Sequence, residues 1–312
     1  MDRLLFLVAW TLTRLLQALP LPLAARLGRA GGQLGWWIDA RHRRVALANI
    51  ALAFPDLPPD QVRAIARENF RRIGESAASA IKTASMSSAQ LRPRLEAVGT
   101  DKINPVPGAP PATSRVVAIG HFGNFEMYAR ITDSIPAYQA ATTYRGIPHP
   151  LVDRLRQSLR ERSGCRFYER RRQAAELKSA MATECLLLGL LADQHAGDRG
   201  LRLPFLGREC STSASPAIFA LRYHCPLHTA ICYRTGLARW RIEFGNEIPV
   251  RHPDGRPRAV AEIMGDVNAA FESAVRRDPA NWFWVHRRWK PGPAPSPASH
   301  SQPDAPTAAP AP

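Results

Sequence analysis

The stretch Val116-Val117-Ala118-Ile119-Gly120-His121-Phe122-Gly123-Asn124-Phe125-Glu126 joins a short apolar run to a glycine-flanked polar turn. The run has the length and β-branched content of a buried strand, and the residues after the turn are compatible with a helix through Met127 to Ile131. Further strand candidates are 140–144 and 186–192, with helical patterns at 151–161 and 174–183. Strand and helix alternate, so the expected fold class is α/β, with a mostly parallel central sheet flanked by helices. Runs at 227–233 and 240–244 extend the sheet, and 259–275 reads as a further helix.

Ahead of this region the periodicity is helical. Ile50, Val62, Ile65, Phe70 and Ile73 recur at amphipathic spacing on either side of the breaker Pro55-Asp56-Leu57-Pro58-Pro59, which gives a helical N-terminal lead-in. At the start of the chain, residues 4–13 are apolar and uncharged, Arg14 interrupts them, and 15–25 resume the pattern around Pro20 and Pro22. Neither half reaches the roughly 20 apolar residues of a membrane-spanning helix. A spanning anchor, an interfacial amphipathic helix, a signal peptide starting at Arg3 and a buried core helix all compete for this segment. An uncleaved anchor over residues 1–27, lying on or in a bilayer, is the expectation, because Arg41, Arg43 and Arg44 follow where anionic headgroups would be met. Residues 28–290 are read as one domain, and the Pro/Ala-rich 291–312 as a disordered tail.

The 312 residues carry 42 Lys and Arg against 26 Asp and Glu, a formal net charge of +16, so anionic partners are expected. With 45% hydrophobic and 22% charged residues, the chain is neither globally disordered nor fibrous. Five scattered cysteines without a Cys-x-x-Cys pair argue for a reducing compartment rather than a disulfide framework. His224, Cys225 and His228 lack a fourth zinc ligand, and no metal is assigned. No phosphate-binding Gly-x-x-x-x-Gly-Lys-Ser/Thr loop, dinucleotide Gly-x-Gly-x-x-Gly or Gly-x-Ser-x-Gly elbow occurs, which disfavours nucleotide cofactors and serine hydrolases. No cofactor is expected.

Polar residues collect after the strands, where open α/β sheets place their reactive groups: His121 to Glu126, Tyr144-Arg145, and Asp193-Gln194. His121 and Glu126 are five apart, about 140° around a regular helix, so one of them must precede the helix. With His121 in the turn and Glu126 on the first helical turns, the carboxylate can fold back to the imidazole.

The string His121-Phe122-Gly123-Asn124-Phe125-Glu126 resembles the His-x-x-x-x-Asp/Glu hallmark of the lysophospholipid acyltransferase superfamily, and within it the bacterial lipid A biosynthesis acyltransferases. Asn49-Ile50-Ala51-Leu52-Ala53-Phe54-Pro55 with Asn69-Phe70 is similar to the family's lead-in. Tyr144-Arg145 with Pro150-Leu151-Val152-Asp153, Asp193-Gln194 with Pro204-Phe205-Leu206-Gly207, and Trp284-Val285-His286-Arg287-Arg288-Trp289-Lys290 are similar to its later blocks. Ser215-Pro216 departs from the glycine that many members place before the following helix.

The resemblance implies that 28–290 is an acyltransferase domain moving a fatty acyl chain from acyl carrier protein or coenzyme A to a hydroxyl of a membrane glycolipid, lipid A above all. The expected place is the cytoplasmic face of the bacterial inner membrane, with no nucleic-acid partner. His121 is expected to be the general base, and Glu126 to fix its tautomer and stabilise the imidazolium. Arg145 would bind a phosphate or the developing oxyanion, or be a solvated arginine; with Tyr144 it is placed among the substrate-binding residues. Asn124 caps the helix or orients the site, with capping favoured. Asp193 and Gln194 position substrate or support their turn, and both readings stay open. His286, Arg287 and Arg288 meet lipid phosphate, or sit as exposed basic residues around packed tryptophans. Acceptors such as phosphatidylinositol mannosides or glycerol phosphates, and a non-catalytic basic lipid-binding protein, are the competing readings.

Overall fold

In the computed structural model, residues 2–106 and 113–290 are described, and the side chains from residue 4 onward. The tail expected at 291–312 lies outside the described residues. Four helices lead in: α1 (Asp2–Ala18), α2 (Leu21–Ile38), α3 (Ala40–Ala53) and α4 (Pro59–Thr83), followed by the single turn α5 (Ser88–Leu91). Pro20 separates α1 from α2, and Pro58-Pro59 opens α4, where a missing N–H costs nothing. The boundary drawn after residue 27 falls inside α2.

Helices α2 and α4 touch backbone to backbone. A Cβ at Gly28 would lie 2.4 Å from the Gly74 carbonyl oxygen, and one at Gly32 would lie 2.1 Å from that of Phe70. Glu75, 1% exposed, ties this pair to the sheet: it accepts from Arg29 on α2, from Arg234, and from the Ala238 N–H.

The rest is a mixed α/β unit. Strands β1 (Leu95–Val98), β2 (Arg115–Ile119), β3 (Gln139–Tyr144), β4 (Arg166–Glu169) and β5 (Leu186–Leu191) come first. The hairpin β6 (Leu201–Phe205) and β7 (Arg208–Thr212) and the long pair β8 (Leu227–Gly236) and β9 (Arg239–Phe244) come after them. Helices α6 (Pro150–Ser158), α7 (Ala174–Thr183), α8 (Ser215–Arg222) and α9 (Val260–Arg277) connect or cover them. Seven strands form one sheet in the order β1-β9-β8-β2-β5-β3-β4, parallel except where β8 meets β9, and β6 and β7 form a separate two-stranded sheet.

The central strands β2, β5 and β8 are buried on both faces, which explains their continuous apolar runs. Val116 and Ala118 of β2 pack with Leu186, Leu188 and Leu190 of β5, while Val117 and Ile119 face Leu187 on the other side. The expected strands at 116–119, 140–144, 186–192, 227–233 and 240–244 are all present to within three residues at either end.

Candidate active site

Strands β2 and β5 are parallel neighbours in the middle of the sheet, and Ile119 pairs with Leu191. Two residues beyond these paired positions come His121 and Asp193, so the register alone sets them side by side. His121 Nδ1 lies 2.9 Å from Asp193 Oδ1, and the His121 backbone N–H donates to Oδ2 at 2.8 Å. Trp282 Nε1 donates to the same Oδ2 at 2.8 Å. An ionised carboxylate only accepts, so Nδ1 carries the hydrogen and Nε2 presents its lone pair. Burial alone would raise the carboxyl of Asp193, which is 1% exposed; the charge His121 carries when protonated and the three hydrogen bonds outweigh it and hold the group below its ordinary value. The imidazole is steadied by rings as well, with Phe125 at 4.8 Å and Phe283 at 5.9 Å between centroids.

Asp193, then, and not Glu126, fixes the tautomer of His121. Glu126 accepts two hydrogen bonds from Arg160, 2.5 Å from Nη2 and 3.2 Å from Nε. The reason is local geometry. Gly123 takes φ +52°, where a Cβ would come 2.6 Å from the Cys232 carbonyl oxygen, and the chain then enters a 3₁₀ helix, Phe125–Arg130, rather than an α-helix. Asn124 at its start makes no side-chain cap, contrary to expectation. The residue is 1% exposed and works through its carbonyl, which accepts from Met127 N–H and Cys232 Sγ.

Of the other expected residues, Tyr144 lines an apolar cavity and Arg145 is exposed just beyond it. The Arg145 carbonyl accepts from Arg156, and the Gln194 carbonyl accepts from Arg288. Arg288 is not an exposed headgroup ligand: it is fully buried and donates to Ser211 O and Thr212 Oγ1. Arg287 is exposed. His286 Nε2 accepts from the His195 N–H, and burial pushes its imidazole down from the ordinary value, toward the neutral form.

The chain segment that carries Trp282 is held from the lead-in helices. Asn69 on α4 donates to the carbonyls of Ala280 and Trp282 at 2.9 and 2.5 Å, and Asn49 on α3 donates to those of Trp284 and His286 at 2.8 and 2.7 Å. A polar chain thus runs from Asn69 through Trp282 and Asp193 to His121. Sequence reading missed Asn49, Asn69, Trp282 and Arg160 as site residues. Asn49 and Asn69 carried a signal, being amides on the apolar side of amphipathic helices, where a buried polar group needs a partner.

An apolar cavity lies on the face of the sheet formed by Val117, Ile119, Leu187, Gly189 and Leu191 and is closed by Phe125, Phe167 and Phe244, and Phe125 is the ring that also stands against the imidazole. Glu126 and Arg160 are its charged lining. Cys165 also lines it, its thiol pushed up to about 12 by burial, so it stays neutral. Among the described residues, no cluster of three or more His, Cys, Asp or Glu side chains is placed to hold a metal ion.

A carboxylate-oriented imidazole at neighbouring strand ends of an α/β sheet is an arrangement able to act as a general base. The chain belongs to the bacterial lipid A biosynthesis acyltransferases, whose family model matches residues 2–291. It is 23% identical over 310 residues, 93% of this chain and 91% of the other, to a Haemophilus influenzae protein named lipid A biosynthesis acyltransferase. The protein is an acyltransferase.

Proposed function

We propose that the protein transfers a fatty acyl chain from a thioester, carried by acyl carrier protein or coenzyme A, to a hydroxyl of a membrane glycolipid precursor of lipid A. The observation that carries this reading is the His121–Asp193 pair, with Phe125 between its imidazole and the apolar cavity. His121 Nε2 takes the proton of the acceptor hydroxyl as its oxygen attacks the thioester carbonyl. The tetrahedral intermediate collapses with cleavage of the C–S bond, and the imidazolium returns its proton to the leaving thiolate. Asp193 holds the tautomer throughout and offsets the charge of the imidazolium. The acyl chain occupies the apolar cavity. Glu126 acts as a positioning residue by holding Arg160 on the cavity wall, while Tyr144 and Arg145 contact substrate at its rim.

The reaction is placed at the cytoplasmic face of the inner membrane. No helix among the described residues is long and apolar enough to cross a membrane. Helix α1 instead exposes Leu4, Leu7, Leu12 and Leu15, and α2 exposes Leu34, Trp37 and Ile38, next to the exposed Arg41 and Arg44. Apolar side chains beside cations support an interfacial seat on anionic lipid. Arg43 is occupied elsewhere, donating to the carbonyls of Trp36 and Trp37 at the end of α2.

Mass spectrometry of lipids extracted from cells with and without the gene tests the reading. A glycolipid lighter by one acyl chain in the deletion is expected; an unchanged lipid profile would overturn it.

A further inference from the structure

A second cavity, of about 170 Å³, opens between the end of α4, the 3₁₀ helix Phe125–Arg130 and α6. It shares Glu126, Ala129 and Arg160 with the apolar cavity. Three arginines line it: Arg130, Arg156 and Arg160. Each retains one buried nitrogen without an acceptor among the described residues, Arg130 Nη1, Arg156 Nε and Arg160 Nη1. Arg130 is only 9% exposed, and the Arg160 side chain 15%.

Their remaining bonds fix these guanidinium groups in place. Arg130 Nη2 donates to Met86 O at 2.6 Å, Arg156 Nη2 donates to Asp153 Oδ1 at 2.8 Å and Arg145 O at 3.0 Å, and Arg160 is held by Glu126. Three cations against the single lining carboxylate leave 3 − 1 = +2, and counting Asp153, which grips Arg156 from outside the lining, leaves +1. Buried guanidinium donors without acceptors are costly unless an acceptor-rich anion meets them. The volume is more than ten times the roughly 10–15 Å³ that one water needs, which leaves room for a tetrahedral anion.

We propose that this cavity binds a phosphoryl group of a substrate through Arg130, Arg156 and Arg160. Several guanidinium donors converging from different elements match the several equivalent oxygens of a phosphate ester better than they match a single carboxylate. The inference rests on the acyl-transfer reading, in which both substrates bring phosphate to this place: the glycolipid acceptor in its headgroup, the donor in its phosphopantetheine arm. It also gives the surplus positive charge beside Glu126 a use that the transfer chemistry at His121 does not.

Binding is tested first with inorganic phosphate, by calorimetry on the full-length protein at constant ionic strength. Arg156→Gln and Arg130→Gln should each weaken it about tenfold or more, while His121→Ala should leave it unchanged. Arg130 also ties the 3₁₀ helix to Met86, so if Arg130→Gln does not fold, Arg156→Gln carries the test alone. Folded Arg156→Gln that binds phosphate like the wild type would overturn the proposal.

The source is then separated by KM. A rise for the phosphorylated acceptor that disappears with the dephosphorylated one assigns the site to the acceptor headgroup. A rise for acyl-coenzyme A that disappears with the phosphate-free acyl N-acetylcysteamine thioester assigns it to the donor. Equal KM values in variant and wild type for every substrate would overturn the assignment to a substrate phosphate. The binding arm needs no turnover, so phosphate binding without acyl transfer would refute the acyl-transfer reading alone, and acyl transfer with normal phosphate binding by the variants would refute this site alone.

Discussion

Arg160 holds Glu126 through two hydrogen bonds, of 2.5 and 3.2 Å, on the wall common to the apolar cavity and the arginine-lined one. The pair joins the loop after α6 to the 3₁₀ helix after His121, so each partner keeps the other in place. If Glu126 acts through Arg160, Glu126→Gln and Arg160→Gln should each lower kcat by about tenfold or more, and the double variant should be little worse than either. Additive losses in this double-mutant cycle would separate the two residues and restore an independent role for Glu126.

Asp193→Asn tests the orienting carboxylate. The amide preserves shape but offers the imidazole a donor where an acceptor is needed, so kcat should fall by about 10²–10⁴ with KM nearly unchanged. The same group has a pH signature. Its native carboxyl is held below the ordinary value, so its contribution to stability is fully present above the unfolded value near 3.9 and is lost as pH falls through the lowered native one. Urea unfolding of wild type and Asp193→Asn from pH 7 to pH 3 should therefore show the wild-type advantage shrinking below about pH 4. An advantage that grows on acidification would contradict the assignment.

Gly189 breaks the leucine run of β5 and lines the apolar cavity, where a Cβ would stand 3.2 Å from Ile119 Cδ1. Gly189→Val should thus intrude on the space given to the acyl chain and move the preference for donor length toward shorter chains, by about tenfold or more in relative kcat/KM. Rates for thioesters of graded length measure this directly. An unaltered length profile would place the chain elsewhere.

The apolar face of α1 predicts lipid binding without insertion across the bilayer. Leu12 and Leu15 are 55% and 60% exposed, and the double variant Leu12→Glu/Leu15→Glu should leave the fold intact while reducing sedimentation with anionic vesicles. Retention of wild-type binding in the double variant would remove α1 from the membrane seat.

The sheet was legible where strands are buried on both faces, because β2, β5 and β8 read as apolar runs, and β9 was legible from the alternation of Trp240, Ile242 and Phe244 with Arg239, Arg241 and Glu243. Strands β1 and β4 were not, being four-residue edge strands with charged residues such as Glu96, Arg166 and Glu169 on exposed or half-buried positions. Hairpin β6–β7 alternates Leu201 and Leu203 with Arg202, but its Pro204 hides the strand signal. In the site, His121 and Asp193 were each visible at a strand end, yet their pairing spans 72 residues and depends on which strands are neighbours. Sequence proximity favoured Glu126 instead, and the 3₁₀ geometry after Gly123, which sends that carboxylate to Arg160, has no plain sequence signal.

The proposed mechanism routes both proton transfers through His121 as the base. Acyl transfer by purified, folded His121→Ala, followed by mass spectrometry of the glycolipid product, measures that dependence. Turnover should fall by about 10²–10⁴ with the thermal transition and vesicle binding preserved. Transfer within a few-fold of wild type by the folded variant would contradict the assignment of His121 and the mechanism built on it.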